Sequence, residues 1–318
     1  MIYLVYGTEI YLKNRRIAEI KSQNSISNSL MNEVVIKGKT GRVETIIEEG
    51  ETHPFLSDKK IIIVKDSELF VAGRKDDSNK LAKWLESAPE YVYLIFDESK
   101  IDKGNRLFKT LRSFGQVEEF NMASDVQIAS IIKAEFNNPN VDHRVLQYFI
   151  SKMPNDITYI LLEFSKLLSY CGAEPISISA IDEICVVALE QQIFGLIKYI
   201  FNQDTTTAIN FYHELIYKKE SPIAMLGLIA SNYRNIFQIK DLARLNHPSR
   251  DIANKLGLRD FVVKDYINVS KRYKYQEIKD ALKLCLDTDK NIKTGLVEAE
   301  KGVELLIFRL CIKNSTIA

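Results

Sequence analysis

The chain has 318 residues, 46% of them hydrophobic and 27% charged, the balance of an ordinary soluble globular protein with room for two or three domains. Its 43 Lys+Arg against 42 Asp+Glu give a net charge of +1, which excludes a strongly basic nucleic-acid coat or a polybasic membrane binder. Residues 190–318 carry 20 Lys+Arg and 15 Asp+Glu, leaving 23 and 27 before them, a mild tilt that permits phosphate contact near the C-terminal end.

Cys171, Cys185, Cys285 and Cys311 are widely spaced, with no CxxC pair and no His at metal-ligand spacing. They read as free thiols of a reducing compartment. No apolar run approaches the ~20 residues of a membrane span, and the N-terminus enters the strand-like Ile2–Tyr6 without a signal pattern. A cytoplasmic location is expected.

The first ~120 residues alternate strand and helix. Strands are expected at Ile2–Tyr6, Glu33–Lys37, Ile61–Val64, Tyr91–Asp97 and Gln116–Phe120. Helices are expected at Ile10–Lys21, Arg42–Gly50, Asn79–Ser87 and Arg106–Ser113. This alternation of apolar strands with helices means a parallel sheet covered by helices.

After Phe120 the β signal stops. Ser124-Asp-Val-Gln127 is a capping-box start. Helices follow over Asp142–Lys152 and Asp156–Tyr170, the latter with Ile157, Ile160, Leu161, Phe164 and Leu168 on one face and closed by Gly172. Ser179-Ala-Ile-Asp182 caps one more, to about Leu189. From Glu190 everything reads as helix: Ile193–Phe201, Thr205–Tyr217, a long one from Ser221-Pro222 to Arg244, a short one ended by Gly257, then Phe261–Tyr273 and Tyr275–Lys290. Thr294-Gly295 introduces the last, with Leu296, Ala299, Val303, Leu306 and Leu310 at 3,4 spacing.

The stretch ETHPFLSDKKIIIVKD (residues 51–66) joins a strand buried on both faces to Pro54, Phe55 and Leu56, which stand among polar residues. Such an apolar pair is either a loop packed on the core edge or an exposed anchor for a partner.

A strand, a Gly and a helix at the start invite a test for a phosphate loop. If Gly7 opens GxxxxGK[ST], then Leu12 stands where the second Gly belongs and Asn14 where the magnesium-binding hydroxyl belongs; only Lys13 is in place. Lys13 is then expected to be a solvated point charge, and Asp97-Glu98 a solvated strand end. His53, His143, His213 and His247 lie near no nucleophile elbow. No catalytic residue, cofactor or metal is expected.

The stretches YLVYGTEIYL, PFLSDKKIIIVKD, YLIFDESKIDKGNRLFKTL, EQQIFGLIKYI, SPIAMLGLIASNYRNIFQIKDL and DTDKNIKTGLVEAEKGVELLIFRL occur in that order along essentially the whole chain. Together they resemble the delta subunit of the bacterial DNA polymerase III clamp loader. The resemblance implies a degenerate AAA+ (RecA-like) sheet domain at 1–122, a small helical lid domain at 123–189 and an all-helical collar domain at 190–318. It implies a non-catalytic subunit of a DNA-directed DNA polymerase holoenzyme, one that binds the sliding clamp (the beta subunit) and opens its ring without hydrolysing ATP. The clamp-binding element then falls on Pro54, Phe55 and Leu56, with Pro54 a departure from the unbranched apolar residue of some members. Partners implied are gamma/tau and delta-prime type subunits, through the collar, and primer–template DNA.

Lys290 and Lys293, ahead of a helix N-terminus at Thr294-Gly295, are possible DNA contacts. Two other readings are an active AAA+ ATPase, which needs Gly and Ser/Thr where Leu12 and Asn14 stand, and a helical DNA-binding scaffold, which should be more basic.

Overall fold

The β-branched and aromatic runs at the start of the chain become five strands: β1 (Ile2–Tyr6), β2 (Glu33–Lys37), β3 (Lys60–Lys65), β4 (Val92–Glu98) and β5 (Gln116–Glu119). In this computed structural model, which describes residues 1–24, 31–38, 42–137, 139–187 and 189–313, they pair in parallel in the order β2-β3-β4-β1-β5. Side chains alternate across a strand, so each central strand feeds two cores. Tyr3, Val5, Ile61, Ile63, Tyr93 and Ile95 meet Ile17 and Ile20 of α1 (Ile10–Gln23) on one face. Leu4, Ile62, Val64, Leu94 and Phe96 meet α2 (Val43–Glu51), α3 (Lys75–Leu85) and α4 (Arg106–Phe114) on the other. Where α2 passes α3, a Cβ on Gly50 would lie 2.4 Å from the Trp84 ring, so only glycine allows that approach.

The chain divides into two compact units, Met1–Ala123, which holds this sheet, and Ser124–Ala318. The second is helical among its described residues. It opens with α5 (Asp125–Glu135), α6 (His143–Lys152), α7 (Ile157–Cys171) and α8 (Ile178–Ile184), which pack on one another. The Ser124/Gln127 capping box forms as read. Helices α9 (Leu189–Phe201), α10 (Thr205–Tyr217), α11 (Pro222–Arg244), α12 (Ser249–Leu256), α13 (Asp260–Arg272), α14 (Tyr275–Lys293) and α15 (Ala299–Lys313) surround a helical core of their own. In it Tyr212 of α10 donates to the Glu300 carbonyl of α15 at 2.8 Å. The fold class read from the sequence, a parallel α/β sheet domain followed by an all-helical remainder, is the one observed.

Several local expectations are corrected. Helix α8 is capped by Ser177, whose hydroxyl accepts from Ala180 N–H, not by Ser179. It ends at Ile184, because Cys185 turns extended. On α7 the buried row runs Ile157, Ile160, Phe164 and Leu167, with Leu161 and Leu168 only half-buried. The larger correction is at residues 294–296. Lys290 and Lys293 occupy the last turn of α14, Thr294 is its C-cap, and α15 begins only at Ala299. Gly295 has φ +74; its N–H donates to the Ile292 carbonyl and that of Leu296 to the Asn291 carbonyl, the Schellman closure of a helix C-terminus. Leu296 therefore lies outside the helix and is exposed.

Cys185, Cys285 and Cys311 are buried free thiols and Cys171 is half-buried; desolvation pushes Cys185 up to about 11 and Cys285 to about 12. Among the described residues no single helix is long and apolar enough to cross a membrane, and no cluster of His, Cys, Asp and Glu could hold a metal.

Candidate functional site

Two places in the sheet unit carry the sequence's functional expectations: the loop between α2 and β3, and the turn between β1 and α1.

The first loop begins at Thr52, the C-cap of α2, and ends where β3 starts at Lys60. Phe55 is 57% exposed and Leu56 92%, while Pro54 is half-buried. An exposed pair of this kind belongs to a loose loop or to a held one, and here it is held. Phe55 N–H donates to Asn32 Oδ1 at 2.7 Å, and Asn32 Nδ2 donates to the Phe55 carbonyl at 2.8 Å. Lys59 Nζ reaches the Asn24 carbonyl at 2.7 Å and lies 5.3 Å over the Tyr93 ring. Lys60, although a lysine, is buried at the start of β3, where its ammonium meets Glu49 Oε2 at 2.7 Å. His53 stacks on Tyr91 with ring centres 4.8 Å apart. Leu56 itself has φ +48, a conformation that costs a branched residue of order 1 kcal/mol.

The second place is the degenerate phosphate loop. A working loop points free N–H groups into a nest that backbone alone can line. Here the chain fills its own nest. Gly7 N–H donates to the Glu98 carbonyl at 3.0 Å, and Glu9 N–H donates to the Phe120 carbonyl at 3.0 Å. The Phe120 backbone crosses so close that a Cβ on Gly7 (φ +126) would lie 2.1 Å from that carbonyl oxygen. The Glu9 carboxylate caps α1 by accepting from Tyr11 N–H, placing a negative charge where a phosphate would sit.

Two expectations fail at this turn. Lys13 is not a solvated point charge: it is 5% exposed, with Nζ 2.7 Å from Asp97 Oδ1 and 3.4 Å from the Glu98 carbonyl. Nor is Asp97-Glu98 a solvated strand end, since both are buried. The reason is the strand order. Because β4 pairs directly with β1, its last two residues lie beside the β1–α1 turn. Asp97 takes the charge of Lys13, with Lys65 Nζ at 3.7 Å. The Glu98 carboxyl accepts from Ser67 N–H at 3.0 Å and from the Ser67 hydroxyl. Burial still lifts its pKa to about 7, with Asp66 pushing the same way against the two Ser67 donors.

The other expected site residues, Lys290, Lys293 and Thr294, come together at the end of α14, but not as an anion nest. The backbone there presents a helix C-terminus, whose dipole disfavours phosphate. Lys293 pairs with Asp289 at 2.8 Å, and the Thr294 hydroxyl donates to the Lys290 carbonyl. Sequence reading missed Asn32, Glu9 and Phe120 as determinants. Only Asn32, a polar residue immediately before a strand, carried any local sign of its role.

Two family models match the chain: DNA polymerase III, delta subunit, over residues 3–123, and DNA polymerase III delta subunit, C-terminal domain, over residues 190–310. DNA polymerase III subunit delta of Bacillus subtilis (strain 168) is 24% identical, covering 98% of this chain and 93% of that protein. The solved structure of the Bacillus subtilis DNA clamp loader delta protein superposes with a TM-score of 0.76 at 22% identity, over 98% of this chain and 95% of that one, and shares the fold. The Thermotoga maritima RuvB Holliday junction branch migration motor is similar only loosely, with a TM-score of 0.40 at 13% identity over 63% of this chain and 69% of that one. With matched segments taking in both the sheet unit and the helices from 190 to 310, the chain belongs to the DNA polymerase III delta subunit family.

Proposed function

We propose that this chain binds a sliding clamp through Pro54, Phe55 and Leu56 and opens its ring for loading on primed DNA, without hydrolysing ATP itself. The observation that carries the reading is the exposed Phe55–Leu56 pair on a backbone held by Asn32, Lys59 and Lys60. Large apolar side chains exposed on an ordered loop suit insertion into an apolar pocket of a partner. The filled phosphate loop supports a subunit that leaves nucleotide to others, because an active AAA+ ATPase needs that nest open.

Within this reading residues 1–122 are the clamp-binding sheet domain, 123–189 a lid and 190–318 a collar that assembles with gamma/tau and delta-prime type subunits over primer–template DNA, in the cytoplasm. Phosphate contact by Lys290, Lys293 and Thr294 would rest on side-chain cations alone, since the backbone beside them offers carbonyls. A Lys290→Glu/Lys293→Glu variant should then flatten the salt dependence of DNA binding by the whole loader; an unchanged slope rules the contact out.

Size-exclusion chromatography of the full chain with its cognate clamp tests the central claim. Co-elution is expected for the native chain and its loss for Phe55→Ala/Leu56→Ala. Equal co-elution of both would overturn the clamp-binding assignment.

A further inference from the structure

We propose that Asn32 is the positioning residue of the Phe55–Leu56 loop, its buried side-chain amide setting the pose in which the pair meets the clamp. The inference rests on the clamp-binding reading above and deepens it. It adds a residue from just before β2 that is 3% exposed and so acts through Phe55 rather than on a partner.

Asn32 stands just before β2, and its backbone carbonyl accepts the Ile61 N–H at 2.9 Å, so its main chain belongs to the sheet. Its side chain belongs to the loop. One planar amide carries a donor and an acceptor side by side, matching the carbonyl and N–H of a single residue, Phe55, at 2.8 and 2.7 Å. The rigidity of the sheet is thereby passed to a loop that lies outside the ladder. The next residue needs that support: Leu56 is held at φ +48 while 92% exposed, so burial of its own side chain does not fix its conformation. Lys59, anchored on the Asn24 carbonyl, fixes the loop's far end. An apolar pair held in one pose loses less freedom on docking than one on a free loop, and binds more tightly for that reason.

The amide is specific to the task. Alanine removes both hydrogen bonds. Aspartate keeps the acceptor and, when ionised, sets a carboxylate oxygen against the Phe55 carbonyl. When protonated it regains a donor and reproduces the amide pattern.

The test measures clamp affinity for the full chain and for Asn32→Ala, each with and without Phe55→Ala/Leu56→Ala, together with amide hydrogen exchange at Phe55. Asn32→Ala should weaken clamp binding about tenfold, the worth of one to two net hydrogen bonds. It should add nothing once Phe55 and Leu56 are alanine. Its Phe55 amide should exchange at least about tenfold faster while Ile62 and Ile95 stay protected in a folded sheet. For Asn32→Asp the deficit against the native chain should shrink as pH falls from about 8 to about 5, as the buried carboxyl takes up its proton.

Equal losses from Asn32→Ala in both backgrounds, or an unchanged Phe55 exchange rate, would overturn the assignment. Clamp affinity untouched by Phe55→Ala/Leu56→Ala overturns the clamp-binding reading and this proposal with it. The exchange rate tells that failure from a failure of Asn32 to hold the loop.

Discussion

Lys13 Nζ and Asp97 Oδ1 lie 2.7 Å apart inside the sheet unit, the lysine on the first helix and the aspartate at the end of the fourth strand. A lysine that in a working phosphate loop would hold nucleotide is here part of the fold. Removing either partner leaves a buried charge, and breaking such a pair costs about 3–5 kcal/mol. Lys65, 3.7 Å from the other carboxylate oxygen, offsets part of that loss. Lys13→Ala should therefore lower unfolding free energy by about 3 kcal/mol, while Lys13→Met/Asp97→Leu should come close to native stability. Urea unfolding of the three proteins checks this. Calorimetry with Mg-ATP should show no binding by the native chain, and a micromolar affinity abolished by Lys13→Ala would reverse the assignment.

Glu98 makes the fold sensitive to pH in a defined direction. Its folded pKa, about 7, lies above the ordinary 4.5, so between these values the folded state holds a proton that the unfolded chain releases. Its contribution to stability is then largest below about pH 4.5 and is lost as pH rises through 7. Other carboxylates titrate as well, so the quantity to measure is the native chain against Glu98→Gln. The amide keeps an acceptor for Ser67 and has no charge to desolvate. The advantage of Glu98→Gln should grow by up to about 3 kcal/mol between pH 5 and pH 8. A pH-independent difference would contradict the buried, proton-binding carboxyl.

Phe55 and Leu56 should separate binding from folding. Each buried side chain is worth roughly 1.5–3 kcal/mol in transfer. Truncating both should weaken clamp affinity by about two to four decades, at a factor of ten per 1.4 kcal/mol. Because both are exposed in the free chain, stability should shift by no more than about 0.5 kcal/mol each. A clear fall in melting temperature with intact clamp affinity would mean that the pair serves the fold.

Arg259, between α12 and α13, is a buried cation with a structural task. It donates through Nη1 to the Ile150 carbonyl at 2.5 Å and through Nη2 to the Pro154 carbonyl at 3.0 Å, with Nε 3.8 Å from Asp125. These acceptors lie at the end of α6 and just beyond it, and the arginine, at the N-cap of α13, ties them to the helical core of α9–α15. Arg259→Met takes the guanidinium from the Pro154 carbonyl and from Asp125, while the Ile150 carbonyl keeps the Met153 N–H at 3.2 Å, and should cost about 2–4 kcal/mol. Arg259→Lys should recover less than half, because an ammonium on a single stem does not match the guanidinium fork. Full recovery by lysine would show that charge alone matters there.

Much of the architecture was legible in the sequence because secondary structure is written in short periods. Ile61–Val64 announced a strand covered on both faces, Ser221-Pro222 the start of α11, and Ser124 with Gln127 a capping box, each through residues within a few positions of one another. Where a signal was ambiguous at that range, as at Thr294-Gly295, the reading took a helix end for a helix start. The two sites were a different matter. PFL in a polar loop could not say whether it was covered, since burial depends on what packs over it from elsewhere in the chain. Exposure of Phe55 and Leu56 was decided by a fold that leaves them uncovered and by Asn32, which holds their backbone from before the neighbouring strand. Leu12 and Asn14 showed that the phosphate loop was broken. Only the pairing of β4 beside β1, with Phe120 drawn across Gly7, decided that Lys13 would turn inward to Asp97 and the nest would be filled by the protein's own backbone. Local hydrogen bonding fixes elements, while the burial of a charge or a loop is settled by residues that meet only after the sheet has formed.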